Sequence, residues 1–527
     1  MRRSSETGVW WASPHVAAYI ALMPTVLAIF LVAHQYTLHD VIGGVTLPSG
    51  SINFASALAL SKGQLPYDNF VLAQPPGMSI LLLPFAWAAH GSGASAALSS
   101  ARILTAVVSI VDVFLVGFTA RHHGIAATFI AGVLFATFPY AFFATSSVTV
   151  EPFLVLFCLL AFQAAFTQGQ LASGGRLVLA GALIGFAIAL KPWAVVPAVV
   201  LLICAAIYWR EALFRVLGGV VIGIGVPCII FFLAAPGSFF RDVITAELPG
   251  SSGGAGSAVA KGLSAHVAEI LGLGVPLGMT NVNGLAIGVG AAIVVIILVA
   301  VVTRASSSTV LDWALLGTTV ALVVICLLAS NLPLTYTYFL AAFGAIVIGN
   351  SVGTLLSVVS SVSLGAGDTN STIAGASTIL CVALMVAVVG LVSPPETSYW
   401  HSYYVTHGTN DSVAIEADVP AGSCVISNDA EVLLLAHRLA ELPAGCPYLV
   451  DPTGIELAAG SPPLGNASVV SQWEQLLSAA RYVVIAPDGP GIPFSPALRK
   501  YFDQNFVIIY NTNYEIYKNK SASLATS

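Results

Sequence analysis

Charge is what this sequence has least of. Asp, Glu, Lys and Arg make up 8% of its 527 residues, while 57% are hydrophobic. A soluble chain of that size needs far more polar surface, so the composition describes a polytopic membrane protein. With 18 basic residues and a net charge of -6, nothing points to nucleic acid as a partner. Cysteine is scarce too. Five of the seven cysteines (Cys158, Cys204, Cys228, Cys326 and Cys381) fall in apolar runs, where a thiol packs as a small hydrophobe. The other two, Cys424 and Cys446, lie in a more polar C-terminal stretch and form a candidate disulfide if that stretch faces an oxidising compartment. Two free buried thiols are the alternative. The opening Met1-Arg2-Arg3 leads into a run too long for a cleaved signal peptide, so it reads as a first membrane helix.

The apolar runs predict about 11 transmembrane helices, over 15–36, 101–119, 125–143, 152–168, 176–190, 193–209, 216–234, 283–303, 309–329, 335–350 and 372–393. Met78–Ala89 is too short to cross and reads as an interfacial or re-entrant helix. With that segment left out of the span count, Arg2, Arg3, Arg121, Arg176, Arg210, Arg215 and Arg304 all fall on one side, which is then cytoplasmic. The N-terminus is cytoplasmic on this reading. The loop 37–100, the turn at Glu151, the turn Lys191-Pro192-Trp193, the loop 235–282 and the C-terminus lie outside.

Composition changes at Pro394-Pro395. The chain therefore divides into a membrane domain, 1–394, and an extracytoplasmic domain, 395–527. In the latter, Ser423–Ser427, Tyr482–Ala486, Phe506–Tyr510 and Tyr514–Lys518 read as strands, and Glu431–Leu439 and Val470–Ala480 as helices. Alternating strands and helices predict a small soluble α/β layer.

A charge at membrane depth needs a reason, since burying one costs ~2.5 kcal/mol or more. Asp40 ends the first span, Arg102 opens the second, Glu151 precedes Pro152 at the mouth of the fourth, and Lys191 sits at a turn between two apolar runs. Each alone reads as an interfacial residue that snorkels to water. Together, carboxylates and cations at one rim describe a site for an anionic head group with a general base.

The loop between the first two spans is unusually long, and loops of that length are mostly functional. It carries Gly63-Gln64-Leu65-Pro66-Tyr67-Asp68-Asn69-Phe70 and closes on Gln74-Pro75-Pro76-Gly77. Together with the Arg-led second helix, the Glu151-Pro152 dipeptide and the Lys191-Pro192 turn, this phrase resembles the GT-C superfamily of glycosyltransferases. The similarity is to its actinobacterial members, akin to protein O-mannosyltransferases and the aminoarabinose lipid A transferase. Val419–Asp429, followed by Arg438, and Val450–Gly454 resemble phrases of the family's periplasmic tail. The resemblance covers nearly the whole chain.

It implies transfer of a sugar from a polyprenyl-phosphate carrier to a glycan, lipid or protein acceptor, at the outer face of the cytoplasmic membrane. A first-loop Asp would deprotonate the acceptor hydroxyl. Lys191 would hold the lipid phosphate, and Glu151 would be a second catalytic acid near the acceptor. Arg102, Asp68, Tyr67, Gln74 and Tyr338 complete the expected substrate-binding set. A divalent metal is compatible with the family, but no cofactor follows with certainty. One departure stands out. The family's first-loop acid should fall near Ser49-Gly50, where there is no carboxylate, and Asp40 lies about nine residues too early. Either Asp40 swings into place, or Glu151 or Asp68 serves, or the protein is a non-catalytic scaffold that binds lipid-linked sugar. A transporter is the further alternative. Against it, the sequence has no inverted repeat and no matching pair of Gly/Pro-broken spans.

Overall fold

The computed structural model describes residues 14–38, 42–44, 48–246, 263–273, 283–304, 308–329, 335–363, 410–458, 466–486, 492–511 and 514–523. The expected span 372–393, the boundary at 394/395 and the catalytic candidate Asp40 lie outside the described residues.

In chain order the first helices are α1 (Pro14–Leu38), α2 (Pro48–Ser61), α3 (Gly77–Leu81), α4 (Leu83–Ser92), α5 (Ala94–Thr119), α6 (Ile125–Ala136), α7 (Ala141–Thr145) and α8 (Glu151–Ala165). A two-residue hairpin follows, β1 (Phe166–Thr167) with β2 (Gln170–Leu171). Then come α9 (Gly175–Leu190), α10 (Val195–Tyr208), α11 (Arg210–Ala234), α12 (Pro236–Phe240), α13 (Leu263–Ile270), α14 (Asn283–Arg304), α15 (Val310–Leu328) and α16 (Tyr336–Ser363). Six helices among the described residues are long and apolar enough to cross a membrane, and Ile125–Ala136, Glu151–Ala165, Gly175–Leu190 and Pro192–Tyr208 are shorter apolar helices. The protein is a polytopic α-helical membrane protein. Rows of exposed apolar residues, such as Val226, Ile230 and Leu233 on α11, give the bundle the outward surface that lipid requires.

Several expected boundaries move. The span expected over 125–143 ends at Ala136, before Pro139, and restarts as the single turn α7. The pyrrolidine ring explains the break, because it disfavours helical backbone in the preceding residue and supplies no N–H. The span expected over 152–168 stops at Ala165, where the hairpin begins, and the one expected over 335–350 runs on to Ser363. Met78–Ala89 is two short helices, α3 and α4, rather than a crossing.

Helix packing follows the small-residue logic of membrane proteins. A Cβ added at Gly181 would meet Val216 O at 2.1 Å, and one at Gly223 would meet Ala182 O at 2.2 Å. With Gly185 and Gly219 in equally close contact, α9 and α11 run side by side with their backbones touching. At one end of the bundle, Arg121 donates to Gln163 Oε1 at 3.1 Å and Arg176 to Gln163 O at 2.8 Å. Those two arginines therefore share an end, and Glu151 and Lys191, at the far ends of α8 and α9, share the other.

The C-terminal residues form α17 (Asn410–Asp418), β3 (Val425–Ser427), α18 (Ala430–Leu435), α19 (Pro452–Ala458), α20 (Ala467–Ala479), β4 (Tyr482–Ile485), α21 (Pro496–Asn505), β5 (Phe506–Asn511) and β6 (Glu515–Asn519). The sheet order is β3-β4-β6-β5, with β3 parallel to β4 and the other pairs antiparallel. Trp473, Leu477, Leu498 and Phe502 fill one of its faces from α20 and α21. Cys424 and Cys446 are joined in a disulfide that ties β3 to the segment after α18. The other sheet face continues into the membrane unit: Val425, Leu433, Leu434 and Val484 share one apolar core with Phe54, Leu58 and Leu98.

Candidate active site

Glu151 and Lys191 face each other because two antiparallel neighbours end side by side. Glu151 opens α8 with Pro152 beside it, a position that suits both the proline and an acid near the helix N-terminus. Lys191 follows the last turn of α9, where Pro192 stops the helix and a cation meets its negative end. Its Nζ donates to Glu151 Oε1 at 2.8 Å, and both residues are 3% exposed. The ammonium also sits 3.5 Å from the centroid of the Tyr336 ring, and Thr335 Oγ1 lies 3.5 Å from Glu151 Oε1. A buried pair of this kind needs close geometry and further polar contacts to offset desolvation, and Thr335 and Tyr336 supply them.

The loop phrase packs directly against this corner. A Cβ at Gly77 would come within 2.4 Å of Ala189 O, so only glycine lets the Pro75-Pro76-Gly77 element seat on the end of α9. Tyr67 takes a left-handed backbone, with φ 70°, and its ring is buried against Phe231 and Phe239. The phenol donates to Gln74 O at 2.5 Å. Burial pushes the Tyr67 pKa well above its usual value, which keeps the hydroxyl a donor. Gln74 has its amide oxygen buried without a hydrogen-bond partner among the described residues.

Beside this corner lies an apolar groove of about 660 Å³, lined by Leu60, Leu65, Ile80, Trp87, Phe186 and Phe231 among others. Phe186 and Lys191 belong to the same end of α9, little more than one turn apart. The groove is lined from α9 by Ala182 and Phe186; Lys191 and Glu151 are not among its lining residues.

Other expected site residues sit elsewhere. Asp68 is exposed and accepts from Asn69 Nδ2 at 3.2 Å, the geometry of a turn residue. Arg102 is fully buried, not open on a rim: its guanidinium holds Ile42 O at 2.7 Å, Gly44 O at 2.8 Å and the Glu431 carboxylate. Tyr338 points into the bundle and donates to Asp112 Oδ2 at 3.2 Å. At Gly50, where the family acid was to be sought, an added Cβ would fall 1.8 Å from Ser147 Oγ. No side chain fits there as the backbone stands.

Sequence reasoning missed Asp112, Asp242, Glu431 and Asp451. Asp112 carried a readable signal, an acid in the middle of an apolar run. Asp242 is buried, with Oδ1 on Arg241 at 2.7 Å. Asp451 accepts from Ala73 N at 2.9 Å and Gly454 N at 2.7 Å, and burial raises its pKa. It belongs to the Val450–Gly454 phrase, which therefore docks on the Gly63–Gly77 phrase. Likewise Arg438 donates to Val419 O at 2.6 Å and ties the ends of its own phrase together. Among the described residues, no group of three or more His, Cys, Asp or Glu could hold a metal ion.

No family model matches the chain, and no curated protein sequence matches it. Solved structures do. ArnT from Cupriavidus metallidurans, bound to undecaprenyl phosphate, superposes with a TM-score of 0.55 at 15% identity, covering 94% of this chain and 98% of that one. The fold is that of the GT-C glycosyltransferases. The GT-C likeness extends to the Archaeoglobus fulgidus oligosaccharyltransferase tethered with an acceptor peptide, at TM-score 0.50 and 12% identity over 90% of this chain and 69% of that one. At 15% and 12% identity the likeness to these structures is one of fold.

Proposed function

We propose that the protein is a membrane glycosyltransferase that moves a hexosyl or pentosyl group from a polyprenyl-phosphate carrier to an acceptor at the outer face of the cytoplasmic membrane. One observation carries this reading: Lys191 and Glu151 form a buried pair at the end of α9, the helix whose Phe186 also lines the apolar groove. The groove suits an isoprenoid chain, and Lys191 suits the phosphate at its end, since a lysine is a compact point charge. The fold supports the reading, and one structure that shares it holds undecaprenyl phosphate.

In the proposed reaction the acceptor hydroxyl oxygen attacks the anomeric carbon. The bond from that carbon to the phosphate oxygen breaks, and the phosphate leaves as an anion stabilised by Lys191. A carboxylate takes the hydroxyl proton. Asp40 is our first choice of base. Glu151 is already committed to Lys191, whose ammonium it orients, so it ranks second. The acceptor is a glycan, lipid or protein. The arginines at the Arg121 end set the orientation, with that end cytoplasmic.

A second reading is a GT-C scaffold that binds lipid-linked sugar without turnover. The Ser49-Gly50 stretch favours it, because Ser49 is not an acid and an added Cβ at Gly50 would fall 1.8 Å from Ser147 Oγ. A lipid extract from a deletion strain separates the two. Transferase activity predicts accumulated polyprenyl-phospho-sugar, restored to normal by the wild-type gene but not by a Lys191→Met gene. An unchanged lipid pool would overturn the transferase reading.

A further inference from the structure

Arg102 was expected to touch substrate, and its burial asks for a different role. Its guanidinium makes three connections at once. Nη1 donates to Ile42 O at 2.7 Å and to Gly44 O at 2.8 Å, while Nη2 pairs with Glu431. Ser99 Oγ adds a bond to Ile42 O at 3.0 Å. Both charged side chains are closed off from solvent, at 1% and 0% exposure.

Glu431 is itself rigidly placed. It stands in the first turn of α18, whose N-cap is Asp429, and its backbone N–H donates to Asp429 Oδ1 at 2.8 Å. The leucines that follow it, Leu433 and Leu434, lie in the core shared with Phe54 and Leu58 of α2. The planar fork of arginine suits such a junction, because it can hold a carboxylate and two carbonyls in fixed directions where a lysine cannot. The carbonyls it holds belong to the first long loop, immediately after Asp40 in sequence.

We propose that Glu431 and Arg102 are positioning residues, through which the C-terminal unit fixes the 42–44 segment of the first long loop for turnover. This rests on the transferase reading above. Neither residue touches substrate. Arg102 presents the loop, and Glu431 orients Arg102 and neutralises a cation that would otherwise be buried alone. Two further clamps tie the same loop to the C-terminal unit: Asp451 on Ala73 N, and Lys62 on Ala440 O. Arg102 is the one that reaches the stretch next to Asp40.

The test uses the full chain in detergent. The paired variant Arg102→Met with Glu431→Gln removes both charges together, so no buried ion is left alone. The first readout needs no activity. Ile42→Cys, labelled with a membrane-impermeant maleimide, should react about 10-fold faster in the paired variant, as a loop released from its anchor opens more often. His90→Cys on exposed α4 should label at the same rate in both backgrounds. The second readout is transfer from the polyprenyl-phospho-sugar fraction extracted from a deletion strain. The rate at saturating donor should fall about 10- to 100-fold with KM for donor unchanged. Glu431→Asp should recover part of the rate. Unchanged labelling at Ile42→Cys would overturn the proposal outright. Faster labelling with an unchanged saturating rate would overturn it too, reducing the pair to a structural tie. If wild type transfers nothing while labelling still rises, the transferase reading fails and the anchoring of 42–44 stands.

Discussion

The two buried ion pairs at the Glu151 end make an instructive contrast. Lys191–Glu151 joins two membrane helices at their ends, beside a groove, with an aromatic ring under the ammonium. Arg102–Glu431 joins a membrane helix to the C-terminal unit, with the guanidinium also holding two backbone carbonyls. In sequence the two cations look alike, a basic residue at the rim of an apolar run. The structure separates them by surroundings. A point charge beside an apolar groove can serve a ligand's phosphate, whereas a guanidinium spread over three protein acceptors is committed to the fold. Burial of an ion pair therefore says little until the other bonds of each partner are counted.

The contrast breaks first if the two pairs are not on the outer face. Reporter fusions give an all-or-none answer: a fusion at His122 should report cytoplasm and one at Glu151 the outside. The reverse pattern would put both pairs, and the proposed site, on the wrong side.

Next in size is the base. Asp40→Asn keeps shape and hydrogen bonding but removes the basic oxygen, so turnover should drop by at least ~10²-fold with donor affinity little changed. Normal turnover in Asp40→Asn with a dead Glu151→Gln would move the base into the Lys191 pair and blur the division of labour drawn here.

A smaller effect is expected at the seat of the loop phrase. Gly77→Ala would press a methyl against Ala189 O, and forcing an atom into such a contact costs ~1–3 kcal/mol. Thermal unfolding in detergent should show a lower midpoint. The same substitution at Gly63, where an added Cβ meets nothing within 4 Å, is strained only by its backbone, with φ 80°. Equal losses at the two glycines would show that the close approach to α9 is not what Gly77 provides.

Much of this was legible in the sequence because the signals were local. Apolar runs marked the spans, and Met78–Ala89 was too short to cross. Cys424 and Cys446, joined in the structure, stood out because the other cysteines lay in apolar runs. The partners of the charges were not legible. Glu431 is 329 positions from Arg102 and sits in a short, otherwise apolar six-residue helix. Asp451 is 378 positions from the Ala73 amide it caps. Nothing local distinguishes a cation that will meet a carboxylate across two units from one that snorkels. Tyr338 failed for a related reason: only the rotation of α16 decides that its hydroxyl turns inward to Asp112.

The claim that Lys191, and not Arg102, reads the lipid phosphate is open to one direct measurement. The dissociation constant of purified protein for undecaprenyl phosphate can be compared in two paired variants, Lys191→Met with Glu151→Gln and Arg102→Met with Glu431→Gln. Each removes one buried pair without orphaning a charge. The account predicts a loss of ~1.5–3 kcal/mol, roughly 10- to 150-fold, in the first variant. It predicts an unchanged constant in the second. Unchanged affinity in the first, or an equal loss in both, would contradict it.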